Sequence, residues 1–309
     1  MRPDRVLISL KTYLGDAVMA SPMIEAIECE VESITIQTTP LVQQLLQDPI
    51  RSRSVIPFEK SRKPWATVQC ALALRRQRFS TAVLVNRSFR AALVTRLAGI
   101  RTRVGHGLEG RRALLTKVVP YDEDRFEADT CMDLARALGI EGPSIPHLTV
   151  TKTEAEEGRS LLEGATLGIQ PGTRYEAKQI PLAELGEVVC SLQQDGHEVV
   201  LIGGPEEVAY AETLQSLLPK RVPSLVGRTD IRRSLGVLAN LRLAIGGDTG
   251  LLHMAAAVGC PTLTAFGPTN ARKWGHAYEP HRIIVAPGGD LSELRPGELI
   301  TAARHALLL

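Results

Sequence analysis

The fold is decided by one stretch in the second half of the chain, LAIGGDTGLLHMAAAV, residues 243–258. The pattern predicts a buried strand that ends at Gly246 and Gly247, a tight turn, and a helix that begins near Gly250. The two glycines allow a ligand to approach the main chain closely, and the first N–H groups of such a helix form an anion site. This strand, turn and helix could therefore hold a phosphate group.

Three polar residues of this stretch, Asp248, Thr249 and His253, can each be interpreted in two ways. Asp248 or Thr249 could cap the helix, because both residue types are preferred N-caps, or Asp248 could bind a ligand. His253 could lie beside that ligand, or it could be a partly buried histidine that bonds to a backbone carbonyl. The sequence alone leaves both alternatives open.

Short apolar runs alternate with longer helical patterns along the whole chain. The first run is Val6–Leu10, and an amphipathic segment follows from about residue 16 to 28. Other predicted strands are 34–36, 82–85, 102–104, 167–169, 198–202, 224–226, 243–245 and 262–265. Helices are predicted near 40–47, 64–77, 88–98 and 126–138, and Thr153 is expected to open another. This alternation predicts parallel sheets that are covered by helices on both faces.

The alternation relaxes around residues 140–153, where Gly142–Pro146 is rich in proline and glycine. A chain of 309 residues usually forms two domains, so we expect one at 1–150 and one at 151–309. The expected class is α/β, with two Rossmann-like parallel-sheet lobes facing across a cleft, and the last helix could pack back on the N-terminal lobe. A single (β/α)₈ barrel suits the length, but the proline-rich break argues against it.

Composition narrows the class of protein further. Aromatic residues make up only 4% of the chain, which disfavours a nucleic-acid reader. The five cysteines lack metal-binding spacing and are expected to be reduced core residues. No apolar stretch approaches the roughly 20 residues of a membrane span and no signal-peptide pattern is present, so we expect a soluble, cytoplasmic protein.

Positive charge is concentrated in the first half, although the net charge is only +2. Residues 51–117 contain sixteen Lys or Arg and two acids, Glu59 and Glu109. Such a region attracts phosphate groups, anionic lipid headgroups or nucleic acid, or else consists of scattered solubilising charges.

Two further loops contain residues that could do chemistry. The segment Gln170–Pro181 follows an apolar run, and its Lys178 could place a positive charge on a diphosphate or remain a solvated lysine. Asp16 follows the first strand, where it could be a general base or a helix cap. Asp122–Asp124 matches a D-x-D metal motif, but it belongs to a longer acidic run, so no metal site is expected. The G-x-x-x-x-G-K-[ST] and G-x-G-x-x-G motifs are absent.

Taken together, these segments resemble glycosyltransferase family 9, the bacterial ADP-heptose:lipopolysaccharide heptosyltransferases, which have the two-lobed GT-B fold. The resemblance is most specific in 247–257, continuing through Pro261-Thr262 to 266–269, and the segments Leu14–Asp16, 171–181 and 202–206 support it in the order of the family. One position departs from the pattern, since Ile180 stands where family members often carry tryptophan.

The resemblance implies a role for each matching residue. Asp16 would be the catalytic base, and Lys178 would be the second catalytic residue, because it stabilises the departing diphosphate. The implied donor-binding residues are Gly172, Thr173 and Lys178 at the diphosphate, Glu206 at the ribose, Thr229 near the adenine, Asp248 at the sugar hydroxyls, the N–H groups of Thr249, Gly250 and Leu251 at the adjoining phosphate, and His253 close by.

The implied activity is an inverting, metal-independent transfer of heptose from ADP-heptose to an inner-core lipopolysaccharide acceptor or a related anionic glycan. ADP-heptose is a substrate, so no cofactor is expected. The acceptor would bind to the first lobe through Arg101, Arg103, Arg111 and Arg112, at the inner surface of the cytoplasmic membrane. Two alternatives remain: a nucleotide-sugar epimerase of the same fold, and a non-catalytic protein that binds a nucleotide sugar or another solute.

Overall fold

The computed structural model of the protein describes residues 5–47, 53–57 and 64–308. The chain forms two compact units, Met1–Pro146 and His147–Leu309, and each unit has its own parallel sheet. The units divide after Pro146, whereas the sequence pattern placed the division after residue 150.

The described part of the first unit contains a six-stranded sheet with helices between successive strands. The strands are β1 (Arg5–Ser9), β2 (Ser33–Thr38), β3 (Ser54–Pro57), β4 (Thr81–Leu84), β5 (Thr102–His106) and β6 (Lys117–Val119). The helices are α1 (Leu14–Met19), α2 (Ser21–Glu30), α3 (Pro40–Leu46), α4 (Pro64–Arg76), α5 (Phe89–Leu97) and α6 (Glu127–Arg136). All neighbouring strands are parallel, in the order β3, β2, β1, β4, β5, β6.

Strand β1 occupies the interior of this sheet, between β2 and β4. Its residues Val6, Leu7 and Ile8 are fully buried, as expected where helices cover both faces of a parallel sheet. The segment that leads from β1 to Asp16 therefore leaves the sheet at the edge where ligands bind in such folds.

The first unit differs from the sequence prediction in two respects. The helix predicted over 16–28 is two helices, α1 and α2, which meet at Ala20. Pro22 stands in the first turn of α2, where its missing N–H needs no partner. Strands β3 and β6 were not predicted, because they lie at the sheet edges and lack a buried apolar run.

The second unit repeats the architecture with five strands among the described residues. The strands are β7 (Leu167–Ile169), β8 (Val199–Leu201), β9 (Leu243–Gly247), β10 (Thr262–Phe266) and β11 (Arg282–Val285). The helices are α7 (Lys152–Leu162), α8 (Leu182–Gln194), α9 (Val208–Leu217), α10 (Ile231–Leu238), α11 (Gly250–Ala257), α12 (Ala271–Trp274) and α13 (Pro296–Leu307). The parallel order is β11, β10, β9, β7, β8.

The carboxyl ends of three adjacent strands bring three loop segments to one edge of the second sheet. Gln170 follows β7, Gly203 follows β8 after one residue, and Asp248 follows β9. These positions are far apart in sequence, but parallel strand order makes them neighbours. This edge is where the candidate site is built.

Two details of the second unit correct the prediction. Helix α7 begins at Lys152, and Thr151 caps it in a capping box in which its hydroxyl accepts a hydrogen bond from the Glu154 N–H at 3.2 Å. The segment 224–226 is an isolated bridge to β8 and not a full strand. Helix α13 packs against α8 and the strands of the second sheet. In the described ranges, every helix is too short or too polar to span a lipid bilayer.

Candidate active site

The turn between β9 and α11 is shaped by its glycines and by Thr249. A Cβ added at Gly247 would lie 2.7 Å from the carbonyl oxygen of Lys178, so only glycine allows the two loops to approach this closely. Thr249 caps α11, since its hydroxyl accepts a hydrogen bond from the Leu252 N–H at 3.4 Å. The first-turn N–H groups of α11 point along the helix axis toward the sheet edge, where they have no intrahelical acceptors.

Because Thr249 is the cap, the Asp248 carboxylate is available for other contacts, which answers one question that the sequence left open. Asp248 is only 5% exposed. The ammonium group of Lys178 donates to its Oδ2 at 2.7 Å, and Nε2 of His253 lies 3.2 Å from its Oδ1. We call Lys178, Asp248 and His253 the carboxylate cluster.

Electrostatics keeps the Asp248 carboxyl ionised. Burial alone would raise its pKa, but the hydrogen bond and charge of His253 and the ammonium group of Lys178 lower the pKa well below its usual range. The buried carboxylate is therefore stable only because cationic and N–H groups surround it. The cluster presents fixed positive and donor groups at the edge of the sheet.

A row of ring side chains continues from the cluster into the protein. Nδ1 of His253 lies 3.0 Å from Nε2 of His276, and Nδ1 of His276 lies 3.0 Å from the hydroxyl of Tyr278. His253 therefore bonds to side chains and not to the backbone carbonyl that one interpretation predicted. His281 packs beside His276 and Tyr278, but its Nδ1 bonds to the hydroxyl of Thr262 at 3.1 Å.

The row is buried, and burial shifts the pKa values of its members. Burial, together with the electrostatic effect of His253 and His281, lowers the pKa of His276 to about 2. Burial raises the pKa of Tyr278 to about 12 and lowers that of His281 to about 4. Near neutral pH these three side chains are uncharged. Sequence reasoning missed all three, because no motif or periodicity connects them to the stretch 243–258.

A second hydrogen-bond network, through Gln170 and Glu207, supports the turn between β9 and α11. The hydroxyl of Thr249 donates to Oε1 of Gln170 at 2.6 Å, and Nε2 of Gln170 donates to Oε1 of Glu207 at 2.7 Å. Oε2 of Glu207 accepts the Gly204 N–H at 2.9 Å. Burial raises the pKa of Glu207 to about 7. The sequence signal for this network was the glycine pair 203–204, because a Cβ added at Gly203 would lie 2.0 Å from Oε2 of Glu207.

The other predicted donor residues lie in the same unit but outside the carboxylate cluster. Gly172 faces Tyr210, whose ring would lie 2.5 Å from an added Cβ, and Thr173 is 6% exposed. Glu206 is exposed and pairs with Arg174 at 2.6 Å. The hydroxyl of Thr229 bonds to Ser234 at 2.8 Å, and no contact described for it joins it to the cluster.

The 171–179 loop is closed by the side chain of Gln179, whose amide donates to the carbonyl of Pro171 at 2.7 Å. Ile180, at the position where the family often has tryptophan, is 2% exposed and belongs to the core of the second unit. The loop is therefore anchored at both ends, and this anchoring fixes the approach of Lys178 to Asp248.

In the first unit, Asp16 lies in the first turn of α1 and does not cap it. The N-cap is Tyr13, and no side chain caps this helix. The ammonium group of Lys11 lies 2.9 Å from Oδ1 of Asp16 and 2.5 Å from Oε1 of Glu127, and Arg87 lies 3.6 Å from Oε1 of Glu127. Burial alone would lower the pKa of Lys11, but the two carboxylates raise it. Lys11 and Glu127 were not predicted.

Two of the four arginines predicted to bind an acceptor have a structural role, which corrects the prediction. Arg111 is fully buried and donates to the carbonyls of His106, at 2.9 Å, Asn86 and Leu84. Burial lowers its pKa to about 10.

Arg103 is 7% exposed and donates to the carbonyl of Leu114 at 2.7 Å and to that of Ile100. Both guanidinium groups are thus occupied by main-chain carbonyls. Arg101 and Arg112 are exposed and remain available to a ligand. Within the described ranges, no group of three His, Cys, Asp or Glu side chains could hold a metal ion.

Known proteins resemble this chain in both sequence and fold. The pattern of Glycosyltransferase family 9 (heptosyltransferase) matches residues 68–293. Lipooligosaccharide heptosyltransferase 2 of Haemophilus influenzae is 23% identical over 324 residues, which covers 95% of this chain and 92% of that protein.

Among solved structures, the ADP-heptose lps heptosyltransferase II of E. coli superposes with a TM-score of 0.84 at 22% identity, covering 98% of each chain. The E. coli heptosyltransferase WaaC with ADP superposes with a TM-score of 0.78 at 20% identity, covering 98% of this chain and 99% of that one. The prediction of an α/β protein of GT-B type with two Rossmann-like parallel sheets is confirmed. Since the family pattern matches most of the sequence, the chain belongs to glycosyltransferase family 9 and is a glycosyltransferase.

Proposed function

We propose that this enzyme transfers a heptose from ADP-heptose to the inner core of lipopolysaccharide, or to a related anionic glycan, without a metal ion and with inversion of configuration. The observation that carries the proposal is the carboxylate cluster beside the N-terminus of α11. The names of the relatives support the sugar and the acceptor, and the neighbour solved with ADP supports the nucleotide.

On the donor side, the diphosphate of ADP would lie against the N–H groups of Thr249, Gly250 and Leu251. The helix dipole favours an anion there, and Lys178 adds a full positive charge. An ammonium group has three donors, so Lys178 can hold Asp248 and a phosphate oxygen together. As the sugar–phosphate bond breaks, negative charge grows on ADP and these interactions strengthen, so they accelerate transfer without a metal ion.

The remaining donor contacts follow the family roles. Asp248 would accept hydrogen bonds from sugar hydroxyls, since each carboxylate oxygen can accept more than one. Glu206 would contact the ribose, and Thr229 would lie near the adenine. Gly172 and Thr173 would contact the diphosphate.

On the acceptor side, Asp16 would act as the general base. It would remove the proton of the acceptor hydroxyl while that oxygen forms a bond to the anomeric carbon and ADP leaves with the electrons of the broken bond. A positioned base contributes roughly 10²- to 10⁴-fold. Lys11 holds the Asp16 carboxylate at 2.9 Å, which fixes its orientation. A single displacement of this kind inverts the anomeric carbon.

The acceptor would be recognised by its negative charge. Arg101 and Arg112 are exposed, and Glu109 is the only acidic residue between them in sequence. Phosphate groups of an inner-core glycan would complement this charge. An attraction between exposed charges weakens as ionic strength rises.

We further propose that the enzyme works at the inner surface of the cytoplasmic membrane and docks there through α4. Trp65, Val68 and Leu72, spaced three and four residues apart on that helix, are 58%, 52% and 52% exposed. Arg75 and Arg76 end the helix, and α4 contains no acidic residue. Exposed apolar side chains with tryptophan beside arginines suit an anionic bilayer.

Sedimentation with vesicles tests the docking surface. The double variant Trp65→Ser, Leu72→Ser should bind vesicles rich in phosphatidylglycerol much less than the unchanged protein. Leu217→Ser, which alters a comparably exposed leucine of α9, should bind normally. Equal binding by both variants, or no preference for anionic over neutral vesicles, would remove α4 from the proposal.

A transfer assay tests the proposed function. Incubation of ADP-heptose with a heptose-deficient lipopolysaccharide acceptor should release ADP and form a product of inverted configuration, with EDTA having no effect. Asp16→Asn should lose at least roughly 100-fold in turnover, whereas ADP should still raise the melting temperature. Asp124→Asn, at an exposed acid of the same unit, is the control. Retained configuration at the anomeric carbon would contradict the single displacement.

The two rival functions give different results in the same assay. An epimerase would convert the nucleotide sugar without an acceptor. A non-catalytic binder would hold the nucleotide, and Asp16→Asn would leave its function unchanged. A thermal-shift comparison of ADP, UDP, GDP and dTDP identifies the base, and we expect ADP to stabilise the protein most.

A further inference from the structure

The ammonium group of Lys11 is shared between two carboxylates of the first unit. Its Nζ lies 2.9 Å from Oδ1 of Asp16 and 2.5 Å from Oε1 of Glu127. The side chain of Asp16 is 12% exposed, whereas that of Glu127 is 3% exposed. Of the two carboxylates, that of Asp16 therefore keeps a surface that a substrate can reach, and that of Glu127 is almost closed to solvent.

Several elements of the fold bring these charges together. Lys11 follows β1, Asp16 lies in α1, and Glu127 is the first residue of α6, where the helix dipole favours a negative charge. Arg87 follows β4, the neighbour of β1, and its guanidinium group lies 3.6 Å from Oε1 of Glu127 and donates to the hydroxyl of Tyr121. Two cationic groups so close favour the ionised form of the buried Glu127.

The other titratable groups beside this site add no charge near neutral pH. Burial lowers the pKa of His106 and raises the pKa of the Cys131 thiol, so both side chains are neutral. Burial would also lower the pKa of Lys11, but Asp16 and Glu127 raise it, so the ammonium group stays charged. The charged groups that the structure describes around Asp16 are therefore two cationic side chains and two carboxylates, which balance each other.

We propose that Glu127 is a positioning residue that acts on Asp16 through Lys11: its charge balances the ammonium group, so that Lys11 orients the Asp16 carboxylate without weakening it as a base. An ammonium group with Asp16 as its only carboxylate partner would stabilise the ionised form of Asp16 more strongly and make it a poorer acceptor of a proton. The consequence for transfer rests on the proposed function, in which Asp16 is the general base, whereas the titration of Asp16 does not.

Carbon NMR of the protein without substrate tests the charge balance directly. A ¹³C label at the γ-carboxyl carbon of aspartate reports on Asp16, whose signal is assigned by its loss in Asp16→Asn. Glu127→Gln keeps an oxygen that can accept a hydrogen bond from Lys11 but removes the negative charge. The Asp16 signal should then titrate at a pH lower by about one unit. An unchanged or a higher titration point in Glu127→Gln would overturn the proposal.

Two further variants test whether the effect passes through Lys11. Asp129→Asn removes an acid from the same first turn of α6, but no contact described for Asp129 joins it to Lys11, so the titration of Asp16 should not change. The double variant Lys11→Met, Glu127→Gln removes the cation together with the carboxylate, so Asp16 should titrate at a higher pH than in Glu127→Gln. A shift in Asp129→Asn as large as that in Glu127→Gln, or a double variant that titrates with the single one, would contradict the proposal.

The dependence of transfer on pH tests the consequence for catalysis. The acidic limb of the kcat/KM profile reports the base of the free enzyme, so in Glu127→Gln it should move to lower pH by the same amount as the NMR titration. On the plateau, kcat should fall several-fold, because a weaker base takes the proton less readily. A lower melting temperature with an unmoved acidic limb would reduce Glu127 to a structural role. If no heptose is transferred at all, the proposed function fails, while the NMR titration still decides the charge balance.

Discussion

At the scale of single residues, the adjacent arginines Arg111 and Arg112 have opposite environments. Arg111 is fully buried beneath the short turn that begins with it, where its Nη2 would lie 3.2 Å from a Cβ added at Gly105. Glycine at that position makes room for the guanidinium group. Arg112 is exposed. The basic composition of this region suggests that both arginines bind a ligand. The burial of Arg111 shows that this side chain stabilises the fold instead.

We expect Arg111→Met to destabilise the first unit by roughly 3 kcal/mol, because the hydrogen bonds from its guanidinium group to three main-chain carbonyls are lost. Arg112→Met should change stability by no more than about 0.5 kcal/mol, as exposed substitutions usually do. Urea unfolding followed by circular dichroism measures both values. Equal stabilities for the two variants would show that the carbonyls do not need Arg111.

The residues of the carboxylate cluster were predictable because each of the three belongs to a local pattern. Asp248 and His253 stand in one strand–turn–helix stretch, and Lys178 stands in a loop after another strand. His276 belongs to no such pattern, and Glu207 had only the glycine pair 203–204 as a signal. Nothing in the pair Glu206-Glu207 tells which side chain turns inward, and His276 reaches His253 only because the chain returns after β10.

At the scale of helices and strands, the contact between α7 and α10 depends on two glycines. A Cβ added at Gly158 would lie 2.1 Å from the carbonyl carbon of Gly236, and one added at Gly236 would lie 2.0 Å from the carbonyl oxygen of Glu154. The neighbouring atoms are backbone and cannot rotate away. The two helices therefore pack at a distance that only glycine permits.

Gly158→Ala should cost roughly 3 kcal/mol or more, because the helices must separate. Gly186→Ala is the matched control within α8, where the nearest atom to an added Cβ is 3.7 Å away. That variant should gain about 0.5 to 1 kcal/mol, since alanine restricts the unfolded chain and favours a helix. Thermal unfolding of the two variants gives the comparison, and a stabilised Gly158→Ala would disprove the close contact.

The strands that the sequence did not reveal, β3, β6 and β11, all lie at sheet edges. Interior strands such as β1 and β9 are buried on both faces and show continuous apolar runs. Residues of an edge strand are partly exposed, as in β11, so their sequence carries a weaker signal. The sequence also does not distinguish Gly158, where packing requires glycine, from Gly186, where it does not. Only the tertiary packing differs between these two positions.

At the scale of the whole molecule, each unit has a hydrophobic core of its own. One core includes Leu7, Ala82 and Leu84 of the first sheet, and the other includes Leu167, Val199 and Ile245 of the second. The alternation of strands and helices predicts two such sheets from sequence. All side chains of the carboxylate cluster and of its ring row belong to the second unit.

This distribution predicts where a bound nucleotide stabilises the molecule. Amides in the core strands exchange through unfolding of the unit that contains them, and a ligand that binds only the folded state slows this exchange by a factor of 1 + [L]/Kd. With ADP at 100 times its Kd, exchange in β8 (Val199–Leu201) should slow by roughly 100-fold, whereas exchange in β1 should change little. Lys178→Ala should abolish the slowing in β8, and Asp16→Asn should retain it. Slowing confined to β1 would place the nucleotide on the first unit and contradict the proposed donor site.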